Sequence, residues 1–137
     1  MATENSFLNN ARRGIASRLN STQLIALTVA GDGTVAGSCA LPAGSWLKSV
    51  SIETPTAISG SPSSANVQVG STSGGSDIVA AVNAQSQGHI AATIVTSFDK
   101  VNGLAGVTSV FAQVTTTGGT APAGTINVLV DYAAPVF

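Results

Sequence analysis

The stretch LPAGSWLKSVSIET, residues 41–54, sets a pattern that the chain repeats near its end. It is a Pro-Ala-Gly corner that leads into a strand, and the same arrangement returns as APAGTINVLVDYA at residues 121–133. Proline fixes φ for the second position of a turn, and glycine suits the last position. Two such corners with strands between them indicate a closed antiparallel sandwich rather than a catalytic scaffold.

Apolar residues alternate with polar ones after each corner, which is the period of a strand with one buried face. The alternating residues are Trp46, Val50 and Ile52 in the first copy and Ile126, Val128, Val130 and Tyr132 in the second. This parity predicts that the side chains of Trp46 and Tyr132 point into the core. Lys48 falls on the same parity as Trp46, so we expect it near a sheet edge or with its ammonium group reaching solvent.

The same period of two continues from residue 22 to the second corner. Gly and Pro clusters divide it into short strands, and only the stretch around 78–82 is also compatible with a turn of helix. The predicted strands are 23–30, 34–41, 46–54, 65–70, 78–82, 88–96, 107–116 and a last one after the second corner. About eight strands predict an all-β fold, a single antiparallel β-sandwich that is jelly-roll-like, with an immunoglobulin-like sandwich as the alternative.

The surface of this sandwich is expected to carry very little charge. Only 8% of the 137 residues are charged, whereas about 25% is typical of soluble domains. The outward strand positions instead hold hydroxyl and amide side chains, at Ser49, Ser51, Gln68, Gln113, Thr115 and Asn127. Exposed strands usually carry charge against edge-to-edge pairing, so its omission favours a subunit that packs against neighbours.

Residues 1–20 differ from the sandwich domain predicted at residues 21–137. Three arginines against one glutamate give this segment a net charge of +2, while the whole chain has −1. Its apolar residues recur at every fourth position, which places them on one stripe of a short helix. They are Phe7, Ala11, Ile15 and Leu19, and the arginines are Arg12, Arg13 and Arg18. We interpret the segment as an N-terminal arm or short helix that docks on a partner.

The residue types for catalysis are scarce. His89 is the only histidine and Cys39 the only cysteine, and no motif flanks either of them. Six scattered acids show no spacing typical of paired carboxylates or of a metal site. We therefore expect no enzyme, no catalytic residue, no cofactor and no metal site. Two lysines outside the arm argue against nucleic-acid binding, and no apolar run approaches the ~20 residues that span a membrane.

Several of these features occur together in one known group of proteins. The short arm, the Leu-Pro-Ala-Gly corner before a Val/Ile strand, the strand NVQVGS at residues 66–71 and the second Pro-Ala-Gly resemble small structural proteins of tailed bacteriophages. These are capsid decoration (cement) proteins and the related head-fibre or spike-base domains, and the resemblance covers residues 34–133. It implies a β-sandwich on the outer surface of an icosahedral capsid, bound to the major capsid protein and to copies of itself, as a trimer or at symmetry axes.

Two functional hypotheses follow from these observations. In the first, the chain is a non-enzymatic virion protein that cements capsid subunits, anchored through Phe7, Arg12, Arg13, Ile15, Arg18 and Leu19. In the second, it is a head-fibre or spike-base domain, or a receptor- or carbohydrate-binding module of a virion. The second hypothesis predicts an exposed aromatic platform, for which Trp46 and Tyr132 are the candidates. A third hypothesis, an enzyme dependent on His89, is disfavoured.

Overall fold

A computed structural model describes residues 18–94 and 108–135. This part of the chain contains eight strands and no helix, and hence no helix that could cross a membrane. The strands are β1 (Arg18–Ala30), β2 (Gly33–Leu41), β3 (Trp46–Thr54), β4 (Ser64–Gly70), β5 (Val79–Asn83), β6 (Gly88–Ala92), β7 (Thr108–Thr117) and β8 (Ala123–Pro135). The all-β prediction is confirmed, and the ambiguous stretch around 78–82 is a strand.

The eight strands form two four-stranded antiparallel sheets. Sheet A has the order β1-β8-β3-β6, and sheet B has the order β2-β7-β4-β5. The innermost pair is β4 with β5, and it is followed outward by β3 with β6, β2 with β7 and β1 with β8. A long hairpin rolled into two sheets has this pairing, which is the jelly-roll arrangement.

The core lies between the inner faces of the two sheets. Every second residue of the central strands points into it, which is why the sequence alternates there. The largest fully buried side chains are Leu27, Leu41, Leu47, Ile52, Ile78, Ile126, Val29, Val50, Val67, Val69, Val110 and Val114. The core is thus built almost wholly from aliphatic side chains, which suit the pleated surface of a strand.

A β-bulge in β3 corrects one of the sequence predictions. Leu47 lies opposite Tyr132 and Ser49 opposite Asp131, so Lys48 is an extra residue on its strand. The extra residue reverses the parity on its N-terminal side, and Leu47 instead of Trp46 is buried in the core. Trp46 lies opposite Ala133 on the outer face of sheet A and is only half-buried, so the prediction that it points inward is wrong.

The placement of Lys48 agrees with the prediction made for it. β6 pairs with β3 only from Val50 to Thr54, so among residues 18–94 and 108–135 the first residues of β3 have β8 as their only neighbour. Lys48 therefore lies where β3 forms a local edge of sheet A. Its side chain is exposed, and its ammonium group donates a hydrogen bond to Asn20 Oδ1 at 3.0 Å.

The four loops at one end of the sandwich are joined to one another by hydrogen bonds. We call this the loop end, and it consists of the turns and loops 31–32, 55–63, 84–87 and 118–122. Three backbone hydrogen bonds make these connections: the N–H of Gly31 donates to the carbonyl of Pro122 at 2.7 Å, that of Ile58 to the carbonyl of Gln85 at 2.9 Å, and that of Thr120 to the carbonyl of Gly60 at 2.8 Å. Each loop at this end therefore contacts the backbone of at least one other loop.

The opposite end, which we call the terminal end, contains the first residue of β1 and the last residue of β8. Arg18 pairs with Pro135 there, Leu41 pairs with Thr108, and an isolated bridge joins Val79 to Ile94. The described residues next to the remaining segments, which are Arg18, Ile94, Thr108 and Pro135, therefore all lie at the terminal end. The corner at residues 42–45 and the loop at residues 71–78 also lie at this end.

The predicted boundary between arm and sandwich differs from the structure. Strand β1 begins at Arg18, five residues before the predicted strand and inside the predicted arm of residues 1–20. Leu19 pairs with Ala134, so it belongs to the sheet and not to a helical stripe. Pairing with the last residues of β8 supplies the backbone partners that make a strand here. The prediction for residues 1–17 lies outside the described residues.

Candidate interaction surfaces

The predicted docking residues fall into two groups. Arg18 and Leu19 lie at the start of β1, where their backbones pair with Pro135 and Ala134 at the terminal end. The remaining four, Phe7, Arg12, Arg13 and Ile15, lie outside the described residues.

The outer face of sheet B carries no charge on any of its four strands. None of β2, β4, β5 and β7 contains a Lys, Arg, Asp or Glu residue. Its outward positions hold hydroxyl, amide and small side chains, and we call this surface the neutral face. One row across it is formed by Thr34, Thr115, Asn66 and Asn83, and the next by Ala36, Gln113 and Gln68.

Direct hydrogen bonds join side chains along the neutral face. Thr34 and Thr115 share one between their hydroxyl groups at 3.1 Å, and Ser64 and Thr117 share another at 3.0 Å. Hydroxyl groups both donate and accept, so these pairs retain capacity for a further partner. Phe111 also points outward between Ser38 and Gly70, where its ring is half-buried.

A glycine-rich loop covers one corner of the neutral face. Gln68 Nε2 donates to the carbonyl of Gly74 at 2.8 Å, and a side chain on Gly70 would collide with the backbone of Gly75. The loop is closed by Asp77, whose carboxylate accepts hydrogen bonds from the backbone N–H and the hydroxyl group of Ser71. The hydroxyl bond is the main reason that the pKa of Asp77 lies below its ordinary value.

The outer face of sheet A differs because it carries charged residues. Asp131 on the central strand β8 accepts a hydrogen bond from Thr22 Oγ1 at 2.6 Å and one from Ser49 Oγ at 2.9 Å. This row ties β1, β8 and β3 together. Beside it lies a shallow depression of about 180 Å³, to which the Lys48 and Asn20 pair also contributes.

Apolar side chains flank this polar row on both sides. Leu24 lies opposite Leu129 on one side, and Trp46 lies opposite Ala133 on the other. Leu24 is 55% exposed, and it is the only large hydrophobic side chain so exposed among the described residues. Ala133, the strand partner of Trp46, is buried without belonging to the core cluster.

A groove runs along the open side of the sandwich, between the edge strands β5 and β6. It has a volume of about 250 Å³ and is lined mainly by aliphatic side chains: Val79, Ala80, Val82, Ile90, Ala91, Ala92 and Thr93. Val82 and Ile90 are half-buried and pack on the core. The described residues that line the groove include no acid, base or nucleophile except the Thr93 hydroxyl, so the chemistry they provide is that of an apolar contact surface.

The structure places the two candidate catalytic residues, His89 and Cys39, on different sheets. His89 is exposed on β6 of sheet A, opposite Glu53, whereas Cys39 is half-buried on β2 of sheet B and packs on the core. Burial raises the pKa of the Cys39 thiol, which makes it a weaker nucleophile at neutral pH. Residues 18–94 and 108–135 hold no cluster of three His, Cys, Asp or Glu side chains fit for a metal ion.

Sequence reasoning missed both the neutral face and the outward position of Trp46. The six outward positions that it named on the strands do lie on the outer faces, and all six are on β3, β4, β7 or β8, the middle strands of the two sheets. What it did not give was the order of the strands. Only that order shows that the strand charges are confined to sheet A, because the uncharged strands are not consecutive in the chain.

Comparison with other proteins gives no match by sequence but several by structure. No protein-family model matches the chain, and no curated protein matches it. A chain of the cyanophage Pam1 capsid asymmetric unit is similar, with a TM-score of 0.54 and 22% identity, over 85% of this chain and 86% of that one.

Two further capsid structures contain similar chains. One is the acidic stable capsid structure of Helicobacter pylori bacteriophage KHP30, with a TM-score of 0.52 and 16% identity, over 87% of this chain and 94% of that one. The other is the capsid of Ralstonia phage GP4, with a TM-score of 0.58 and 20% identity, over 88% of this chain and 86% of that one. At these identities the similarity establishes a common fold.

Proposed function

We propose that this chain is a non-enzymatic structural protein of a bacteriophage virion that decorates and cements an icosahedral capsid. The observation that carries the proposal is the fold, which the chain shares over most of its length with chains of three phage capsids. In this proposal its partners are the major capsid protein and copies of itself, on the outer capsid surface. No nucleic acid, membrane or cofactor takes part.

The surface composition supports the proposal that this chain is a subunit of an assembly. Surface charge keeps the copies of a free protein from associating, and the strands of sheet B contain no charged residue. A neutral surface can be buried against a partner without the cost of removing a charge from water. The exposed Leu24 and the groove between β5 and β6 add apolar contact surfaces on other sides of the molecule.

We propose that the terminal end of the sandwich faces the shell. The described residues next to the three remaining segments all lie there, and one of these segments, residues 1–17, contains Arg12 and Arg13 and leads directly into Arg18. The docking residues in this proposal are Phe7, Arg12, Arg13, Ile15, Arg18 and Leu19. Burial of the apolar members supplies most of the affinity, at about 25 cal/mol per Å². The arginines set the register and the rate of association more than the affinity.

Removal of residues 1–17 tests the anchor, because the shortened chain keeps the whole of β1. The full and shortened proteins are each mixed with cognate empty capsids that lack this protein, and the bound fraction is measured by co-sedimentation. We expect the full chain to sediment with the shells and the shortened chain to remain in the supernatant. Urea unfolding of the shortened chain shows whether the sandwich has stayed intact. Equal binding by both proteins would refute the role of the arm.

The number of copies bound per shell separates cementing from a role at the vertices. A cement protein occupies sites over the whole shell, whereas a head-fibre or spike-base protein is confined to the few symmetry axes it caps. Quantitative mass spectrometry of saturated shells gives the ratio of this chain to the major capsid protein. A ratio that corresponds to the fivefold vertices alone would favour the spike-base function.

One observation keeps the receptor- or carbohydrate-binding alternative open for testing. Trp46 lies half-buried on the outer face of sheet A beside the depression that contains Lys48 and Asp131, and an aromatic ring next to polar groups suits a sugar. Tyr132 is buried in the core, so the two aromatics do not form one platform. A glycan array probed with the wild type and with Trp46→Ala tests this function: signals that Trp46→Ala abolishes would support it.

A further inference from the structure

We infer that the neutral face is the surface on which a second copy of this chain packs, with the same face of both copies meeting about a two-fold axis. The inference goes beyond the proposed function, since it concerns which surface joins two copies and holds whether or not a shell is present. It rests on the charge, the hydrogen-bonding capacity and the extent of this face.

Charge distinguishes this face from the other face of the sandwich. When a surface meets its own copy about a two-fold axis, each charged residue near the axis faces a like charge. On sheet A such a contact brings together two copies of Asp131 and two of Lys48, with Glu53 nearby. The strands of sheet B bring no charged residue to such a contact, and the nearest charge is Asp77, in the loop that covers one corner of the neutral face.

The hydrogen-bonding groups of the neutral face are self-complementary. Hydroxyl and amide side chains each donate and accept, so two identical rows of them can pair in either direction. Thr34, Thr115 and Asn66 form such a row through the middle of the face. A face built only from donors or only from acceptors would need a partner of different composition, whereas this one fits itself.

The extent of the face is sufficient for a specific but modest contact. Four strands at ~4.8 Å spacing and ~3.3 Å per residue give roughly 20 by 26 Å, or on the order of 500 Å² for each copy. Two copies bury at most about 1,000 Å², which is the lower bound for a specific interface, because the glycine-rich loop covers one corner of the face. Aligned packing of one sheet on another is a common mode, with the sheets ~10 Å apart. We therefore expect a pair that dissociates on dilution.

Two matched substitutions test the inference. Thr115→Lys places a charge at the centre of the neutral face, on β7 beside Thr34 of the edge strand β2. Thr125→Lys is the control, since it lies on the corresponding strand β8 of sheet A beside Thr28 of the edge strand β1. Both positions point outward, so neither substitution disturbs the core, and urea unfolding of each variant checks that it is folded.

The readout is the mass in solution of the full chain, measured by light scattering over a range of concentrations. We expect the wild type and Thr125→Lys to reach the mass of two 13.5 kDa chains. Thr115→Lys should remain a single chain, with the dissociation constant of the pair raised at least ~100-fold by the buried like charges.

Three results would overturn the inference. The first is a wild-type chain that stays single at every concentration, and the second is a pair that survives Thr115→Lys. The third is a particle of three chains, because identical faces meeting about a two-fold axis close after two. If the neutral face instead meets the shell, the wild type is a single chain in solution and Thr115→Lys weakens its binding to capsids. None of these results depends on the arm, so the proposed function can fail separately.

Discussion

Leu47 and Val50 both bury their side chains in the core, with 2% and 1% exposure, although they stand three positions apart on one strand. Regular alternation would place them on opposite faces of the sheet. The bulge at Lys48 reconciles their positions, because it adds one residue to β3 without adding one to β8. One exposed lysine thus decides which of two neighbouring large side chains, Trp46 or Leu47, enters the core.

Deletion of Lys48 should therefore destabilise the protein far more than its replacement. Without the extra residue, a regular β3 turns Leu47 outward and directs the larger Trp46 into space shaped for leucine. We expect a loss of about 3 kcal/mol or more in the free energy of unfolding, as for other misfits in a packed core. Lys48→Ala should cost less than about 1 kcal/mol, since it removes only an exposed hydrogen bond to Asn20. Urea unfolding measures both, and equal effects would contradict the role of the bulge.

The hydrogen bonds to Asp131 should be measurable although they lie on the surface. Thr22→Val and Ser49→Ala each remove one donor to this carboxylate. We expect each to lower the free energy of unfolding by about 0.5–1.5 kcal/mol. A double-mutant cycle of Thr22→Val with Asp131→Asn isolates the pair, and a coupling energy near zero would show that water replaces the bond without loss.

Asp77 should make stability depend on pH in the acid range. Its pKa is lowered in the folded state, chiefly by the hydroxyl group of Ser71, from an ordinary value of 3.8. Ionised Asp77 therefore stabilises the fold above pH 3.8, and this contribution is lost as the pH falls through the lowered pKa. Asp77→Asn and Ser71→Ala should each reduce the difference in stability between pH 6 and low pH. Urea unfolding at several pH values gives the comparison, and an unchanged profile in both variants would refute the prediction.

Gly60 should tolerate no side chain, because two separate requirements meet at this residue. Its φ of +83° is in the left-handed region, and a Cβ atom would approach the carbonyl oxygen of Thr120 to 2.5 Å. Gly31 provides the control, since its φ of +101° imposes the first requirement while no atom lies within 4 Å of a Cβ. We expect Gly31→Ala to cost about 1–2 kcal/mol from backbone strain alone.

Gly60→Ala should cost clearly more than Gly31→Ala, because the backbone of a neighbouring loop must also move. Thermal unfolding of the two variants in parallel measures the difference. Equal losses of stability in the two variants would show that the loops of the loop end can shift at little cost, although hydrogen bonds join them.

The strands could be predicted well from the sequence because the alternation of apolar and polar residues in a strand reflects which of its side chains are buried. The alternation in β7 and β8 follows directly from one buried and one exposed face, and the strand 46–54 has the predicted bounds. The bulge left no such trace. A single polar residue within an apolar alternation is also what a regular strand near an edge shows, so Lys48 was placed correctly while Trp46 was assigned to the wrong face.

The interaction surfaces depend on information that no local pattern contains. The neutral face exists because β2, β7, β4 and β5 are neighbours, although long stretches of sequence separate some of them. The start of β1 at Arg18 likewise depends on the last residues of β8, more than a hundred positions away. Propensity gave no reason to begin a strand there, since the partner alone provides its hydrogen bonds.

The position of β8 between β1 and β3 has a consequence for the order in which the chain can fold. β1 and β3 are not paired with each other, and each of them pairs with β8, so sheet A cannot form around its centre until β8 has left the ribosome. The hairpin of β4 and β5, by contrast, pairs residues close in sequence and can form early. During synthesis the aliphatic faces of β1 and β3 stay exposed until β8 is available, and chains with such exposed faces are prone to aggregate. A chain that stops before residue 123 should therefore aggregate more readily than the full sequence.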